Sequence, residues 1–372
     1  MAELIFVRSG YREPWYDLYG NKTENISYVE NDIIPNSFKI GGDNYNESIG
    51  EINNGKDYPK NERNIYNLYI PYNSLERKEK KNGILLFIHG GGWTTRTKDD
   101  VEQFASRYAK QGYITANFEY TLLSDNYTQY NIFRILDEIT ACIKHIKNEL
   151  KNQGFDENLL ELAIGGVSAG AHITLLYSHL IKTQILPIKF LIDIVGPISL
   201  LPEHYLRASV LFQPLESISE RSDIENALKE KKLVRIFDND LILLYLMNMF
   251  IGKKYTDEEL LELTENGLIN SDNEKYKAML KIVENAFSIN FIDGRYPFLC
   301  EYCGNDFEVG VAHFSYIKEI YEKQNKTENL TFVYMKYAGH EQYHYENEES
   351  IIAMKEMHNQ ILKYAKKYFS SD

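Results

Sequence analysis

His89-Gly90-Gly91-Gly92-Trp93 and, further along, Gly166-Val167-Ser168-Ala169-Gly170 are the two stretches on which the reading of this chain turns. Each follows an apolar run short enough to be a buried strand: residues 83–88 lead into the first, and Leu162-Ala163-Ile164 runs through Gly165 into the second. The carboxyl ends of such strands are where open α/β sheets place their chemistry.

A serine at a sharp strand-to-helix turn is held in a strained backbone conformation, and the residues two before and two after it must be small for strand and helix to approach. Gly166 and Gly170 meet that demand. The turn lifts the Ser168 hydroxyl above the sheet, and the helix that begins at Ala169 aims free N–H groups and its positive dipole end at the same point. An oxyanion forming there is stabilised by the backbone of Ala169 and, from the glycine run, by the N–H groups of Gly91 and Gly92, which no side chain screens. Losing one such donor typically raises a barrier by about 3 kcal/mol. Either motif alone arises by chance; the pair in this order is specific.

On these residues, with Ala171-His172 after the second turn and two later segments, the chain resembles the α/β-hydrolase superfamily. The likeness is to its esterase and lipase branch with an H-G-G-G oxyanion loop, the hormone-sensitive-lipase-like and related bacterial carboxylesterases. It extends over about residues 64–200 and 295–370. It implies an α/β architecture, the α/β-hydrolase fold, with a mostly parallel central sheet flanked by helices. Two places depart from the pattern: Glu119-Tyr120-Thr121-Leu122 stands where these esterases usually carry a tyrosine-arginine pair, and Arg96 replaces a frequent glycine beyond the tryptophan.

A serine nucleophile needs a base, and the base needs an orienting carboxylate. In this fold the chain order is Ser, then Asp or Glu, then His. Residues 296–303 read as a strand followed by the turn Gly304-Asn305-Asp306-Phe307-Glu308-Val309, which makes Asp306 the candidate acid; Glu308 and Asp293 are its rivals. The strand 330–335 is followed by Lys336-Tyr337-Ala338-Gly339-His340, which makes His340 the candidate base, with His344 its rival. The Gly-His turn and the Gly-x-Asp-x-x-Val pattern both resemble those of the esterases. His172 reads as a packing or supporting residue and His89 as a holder of the glycine loop.

The 372 residues are 44% hydrophobic, ample for a large core, and suit one elaborated catalytic domain. A formal charge of −13 argues against a nucleic-acid partner, because phosphate binding draws on clustered Lys and Arg. Apolar stretches at 188–201 and 241–251 are too short or too interrupted to span a membrane. The first eight residues lack a basic region and a long apolar core, so no secretion signal is read and a cytoplasmic location is expected. Three cysteines suit a reducing compartment; Cys300-x-x-Cys303 falls within a strand and lacks a second pair, so it reads as packing. The N-x-S/T triplets are what an asparagine-rich chain produces by chance, and no glycosylation is read from them.

Four zones follow. Residues 1–60 read as an irregular lead-in with one antiparallel strand near 37–40; residues 61–200 alternate strands (65–70, 84–89, 113–118, 162–167, 190–195) with helices, the mark of a parallel sheet. Residues 201–295 break the rhythm with helical patterns at 222–231, 241–250, 257–265 and 273–285 and no convincing strand. That zone reads as a helical cap inserted between the sixth and seventh strands, with Trp93, Met247 and Phe250 expected to line a substrate pocket. Packing of 241–250 against its neighbours is the other reading of that run. Residues 296–372 complete the catalytic domain and close with an amphipathic helix at 348–368.

The expected activity is hydrolysis of a small-molecule carboxylic ester through an acyl-enzyme, with no metal and no cofactor required. An amide hydrolase with the same machinery is the alternative. A non-catalytic binding module on a hydrolase fold is the third reading, and usually such modules lose a triad member, whereas all three candidates are present here.

Overall fold

The computed structural model describes residues 3–7, 45–51, 63–123, 131–208, 233–304, 306–335, 338–340 and 348–369. Among them the strands are β1 (Glu3–Val7), β2 (Tyr45–Glu51), β3 (Ile65–Pro71), β4 (Asn82–Ile88), β5 (Ile114–Glu119), β6 (Leu160–Val167), β7 (Ile188–Ile194), β8 (Leu206–Ala208), β9 (Leu233–Arg235), β10 (Thr264–Glu265), β11 (Leu268–Ile269), β12 (Phe298–Cys303) and β13 (Leu330–Met335). Nine form one sheet in the order β1-β13-β12-β7-β6-β4-β5-β3-β2. It is parallel except where β3 meets β5 and β2 meets β3.

Helices fill the crossovers. α1 (Glu102–Lys110) follows β4, α2 (Ile132–Asn152) follows β5, α3 (Ala169–Leu180) follows β6, α7 (Ala312–Lys323) follows β12, and α8 (Glu348–Tyr368) closes the chain. Strand side chains alternate between faces, and the core divides accordingly. Leu85 and Phe87 of β4 join Phe104 and Tyr108 of α1 and Met357 and Ile361 of α8; Ile84, Leu86 and Ile88 join Ile135 and Ile139 of α2 and Ile173 of α3. A hydrogen bond of 2.5 Å between the Tyr108 hydroxyl and His358 Nδ1 ties α1 to α8. Strand period also separates Cys300 and Cys303, which fall into opposite cores, so the C-x-x-C does not converge on one point.

Residues 201–295 lie between β7 and β12 of the main sheet, to which residues 3–7 add an edge strand parallel to β13. One reading from sequence needs correction. The insertion contains strands: β8 pairs with β9 and β10 with β11, both antiparallel, beside α4 (Leu241–Phe250), α5 (Asp257–Leu261) and α6 (Glu274–Val283). The strand expected near 37–40 and the helix expected at 222–231 lie outside the described residues. No helix among the described residues is long and apolar enough to cross a membrane.

Candidate active site

Ser168 sits at φ 52°, ψ −121°, between the last residue of β6 and the first of α3. This backbone is costly for a non-glycine residue, and its surroundings hold it. The Ser168 N–H donates to the carbonyl of Ile194 on β7 at 2.8 Å. A Cβ at Gly170 would stand 2.2 Å from the carbonyl oxygen of Ile88, and one at Gly166 would stand 2.3 Å from the carbonyl carbon of Gly170. Strand and helix therefore touch backbone to backbone. Serine at a helix N-cap ordinarily turns its hydroxyl onto the helix; here it makes no capping bond.

The hydroxyl faces His340 instead. Ser168 Oγ and His340 Nε2 are 2.8 Å apart, and His340 Nδ1 is 2.8 Å from Oδ2 of Asp306. A carboxylate only accepts, so the proton belongs on Nδ1, and the Nε2 lone pair is left for the serine O–H. Asp306 is fully buried, and its other oxygen, Oδ1, accepts from the N–H groups of Glu308 at 2.8 Å and Val309 at 2.7 Å. The three residues come from three loops at the carboxyl ends of β6, β12 and β13. Of the rivals, Glu308 reaches His340 from the solvent side, Oε2 to Nε2 at 3.6 Å. Asp293 pairs with Arg295 at 2.7 Å, and His344 lies outside the described residues.

Gly91, Gly92 and Trp93 have successive φ values of 97°, 54° and 61°, a left-handed run that coils the loop after β4. A Cβ at Gly91 would lie 2.3 Å from the carbonyl oxygen of Thr95, whereas one at Gly92 would meet nothing within 4 Å. Gly92 is exposed. The loop is held from beneath. The His89 ring stacks on Tyr120 at 4.1 Å, and both His89 Nδ1, at 2.8 Å, and the Tyr120 hydroxyl, at 3.0 Å, reach the Gly90 carbonyl. Burial lowers the His89 pKa to about 3, so the ring is neutral and Nδ1 is the donor.

Trp93 is buried, edge-on to His172 at 5.4 Å and to Phe250 at 4.8 Å. His172 stacks on Phe250 and hydrogen-bonds through Nε2 to the Ala286 carbonyl at 2.8 Å; burial lowers its pKa to about 4. Met247 and Phe250 have no exposed surface, so the packing reading of α4 fits this arrangement and the pocket-lining one does not. At the departure from the tyrosine-arginine pattern, Thr121 donates through N–H and Oγ to Glu138, whose cation comes from Arg134 at 2.7 Å in the first turn of α2.

The insertion meets this centre at three places. It touches the glycine loop through Trp93 and Phe250 and the serine helix through His172 and Ala286. It also reaches the acid loop, where Gly310 lies so close to Leu206 that a Cβ would stand 1.8 Å from the Leu206 carbonyl oxygen. Two features escaped the sequence reading: exposed Phe307, at 59%, which was given no role, and Glu308, weighed only as a rival acid, whose carboxylate approaches the imidazole. Their place beside Asp306 in the chain is the signal that points to them.

A strained serine turn over a parallel sheet, with the strand order above, is the α/β-hydrolase fold. Residues 67–204 match the BD-FAE family model. The chain is similar to Gut esterase 1 of Caenorhabditis elegans, 33% identical over 106 residues that make up 26% of this chain and 18% of that protein. It is also similar in structure to a bacterial heroin esterase (TM-score 0.54, 15% identity, 96% of this chain and 93% of that one). The carboxyl esterase 2 of Tuber melanosporum gives a TM-score of 0.53 at 15% identity over 89% of each chain.

Proposed function

We propose that this protein hydrolyses carboxylic esters, with Ser168 as nucleophile, His340 as general base and acid, and Asp306 as the orienting carboxylate. The observation that carries the reading is His340 bridging the other two, Nε2 to Ser168 Oγ and Nδ1 to Asp306 Oδ2, each at 2.8 Å. The esterase likenesses of fold and of residues 67–204 support it.

His340 Nε2 takes the Ser168 proton as Oγ bonds to the ester carbonyl carbon, and the carbonyl oxygen becomes an oxyanion held by the N–H groups of Gly91, Gly92 and Ala169. Collapse breaks the carbon–oxygen bond to the alcohol, which leaves with the proton from Nε2. Water attacks the acyl-enzyme, gives a proton to Nε2, and releases the carboxylic acid as Ser168 recovers its proton. Residues 61–200 and 296–372 form the catalytic domain, and 201–295 a cap that walls the cleft. The contacts of the insertion with the glycine loop, the serine helix and the acid loop support that division.

The test is a panel of nitrophenyl esters of graded chain length beside aminoacyl anilides. Esters should be cleaved, and Ser168→Ala and His340→Ala should abolish turnover with the fold intact. Asp306→Asn should lose about 10³–10⁴ in kcat, because an amide does not hold the imidazole in the right tautomer. Anilides preferred over esters would move the assignment to an amide hydrolase. Retention of more than about a hundredth of kcat in Ser168→Ala, where a triad supplies orders of magnitude, would sink it.

A further inference from the structure

Glu308 is placed where a leaving group must be. Its side chain is 63% exposed, and Oε2 stands 3.6 Å from His340 Nε2, the atom already 2.8 Å from Ser168 Oγ. Among the described residues no cation neutralises it; the imidazole is its one partner. The loop fixes the backbone that carries it, since the Glu308 N–H bonds Asp306 Oδ1 at 2.8 Å and the next N–H, of Val309, the same oxygen at 2.7 Å.

In the mechanism proposed above, on which this step rests, Nε2 hands its proton to the departing alcohol. The alcohol portion of the ester therefore lies beside Nε2, and the acyl portion on the far side of the carbonyl carbon. A carboxylate at that place meets the alcohol. A cation beside this carboxylate is attracted by its charge, though water screens an exposed pair, while a neutral hydroxyl offers the same oxygen one hydrogen bond in competition with water. The chain's net charge of −13 draws cations toward it from solution.

We propose that Glu308 is a specificity residue that reads the alcohol side of the substrate and selects esters of positively charged amino alcohols over neutral or anionic ones. Two acetate esters of equal shape test it: that of 2-(trimethylammonio)ethanol and that of its neutral carbon isostere, 3,3-dimethylbutan-1-ol. At low ionic strength kcat/KM should favour the cationic ester by at least about tenfold, and 0.5 M salt should shrink the ratio, because an exposed charge pair is screened within a few ångströms. Glu308→Gln should bring the ratio near one, and Glu308→Lys should invert it. A ratio that Glu308→Gln leaves unchanged overturns the role of Glu308 while ester hydrolysis stands. Turnover of neither ester, together with no labelling of Ser168 by a fluorophosphonate, overturns both readings.

Discussion

The hydroxyl of Tyr302 lies 3.1 Å from Oδ2 of Asp193 and 2.5 Å from the carbonyl oxygen of Gly196, in a place fully shielded from solvent. One hydroxyl has one proton to give, and the nearer acceptor is Gly196. The bond to Asp193 is then complete when the carboxyl is itself protonated and donates to Tyr302, with Oδ1 accepting the Gly196 N–H at 2.7 Å. Burial, the largest influence, pushes the Asp193 pKa from 3.8 up to about 8. The turn so fixed bears on the site, since Val195 is held at φ 50° and a Cβ at Gly196 would come within 2.5 Å of Ala171 on the serine helix.

A raised folded-state pKa stabilises the fold fully below the unfolded value, and that stability drains away as pH rises to the folded value. For Asp193 the window runs from 3.8 to about 8. Asp193→Asn mimics the neutral acid in shape and can donate through Nδ2 to Tyr302. The difference in melting temperature between variant and wild type should therefore grow in favour of the variant across that window. Parallel curves would mean that Asp193 is ionised in the folded protein.

Buried histidines act with the opposite sign. Burial lowers His89 to about 3 and His172 and His179 to about 4, so these rings are neutral in the folded protein and protonate once unfolded. Depressed pKa values give stability that is present above the unfolded value, about 6.5, and lost as pH falls toward the folded ones. The denaturant midpoint should drop between about pH 6.5 and 4. Between about pH 6.5 and 5 the ring protons of these three histidines should not titrate while the protein stays folded. Titration of any of them near pH 6.5 would remove it from the set.

The two glycine motifs should respond differently to a methyl group. Gly170→Ala drives Cβ into the Ile88 and His89 carbonyl oxygens, at 2.2 and 2.4 Å, and neither backbone can retreat without moving the serine turn. It should cost about 3 kcal/mol or more and leave little active protein. Gly92→Ala meets open space and bears only the left-handed penalty of about 1–2 kcal/mol, so it should fold with a modest fall in melting temperature. Equal losses in the two variants would contradict backbone contact as the reason for Gly170.

How far the sequence could be read depended on whether the deciding signal was local. β4, β6, β12 and β13 are apolar runs ending in glycine turns, and each lies within a residue or two of its expected place. The pairing of β1 with β13 has no local signature, because a five-residue strand does not announce a partner at the other end of the chain. In the insertion, Asn266 and Gly267 carry φ values of 52° and 80°, the pair of left-handed residues a tight hairpin demands. That Asn-Gly signal was legible, but the charged periodicity of 257–265 carried the helix reading over β10, the strand before it. The candidate acid was open between Asp306 and Glu308 because spacing does not tell which side chain a loop buries. Asp193 stood in an apolar run, and only the register that sets it opposite Cys300, two residues before Tyr302, explains it.

α4 offers the sharpest test of what the insertion does. Phe250 is fully buried, edge-on to Trp93 at 4.8 Å and stacked on His172 at 5.4 Å, and Met247 is fully buried on the same helix face one turn earlier. Removing the Phe250 ring empties a space bounded by the glycine loop and the serine helix, which cannot collapse without shifting the catalytic backbone. Phe250→Ala should cost about 3–5 kcal/mol and Met247→Ala about 2–5 kcal/mol. Both should melt several degrees lower with the ranking of acyl chain lengths unchanged. Phe250→Ala should also lose kcat toward every ester alike, since Trp93 holds its left-handed backbone at φ 61° through the packing of its ring. If melting held steady while longer acyl chains became preferred, the ring would line the acyl pocket, and the packing account of this interface would be wrong.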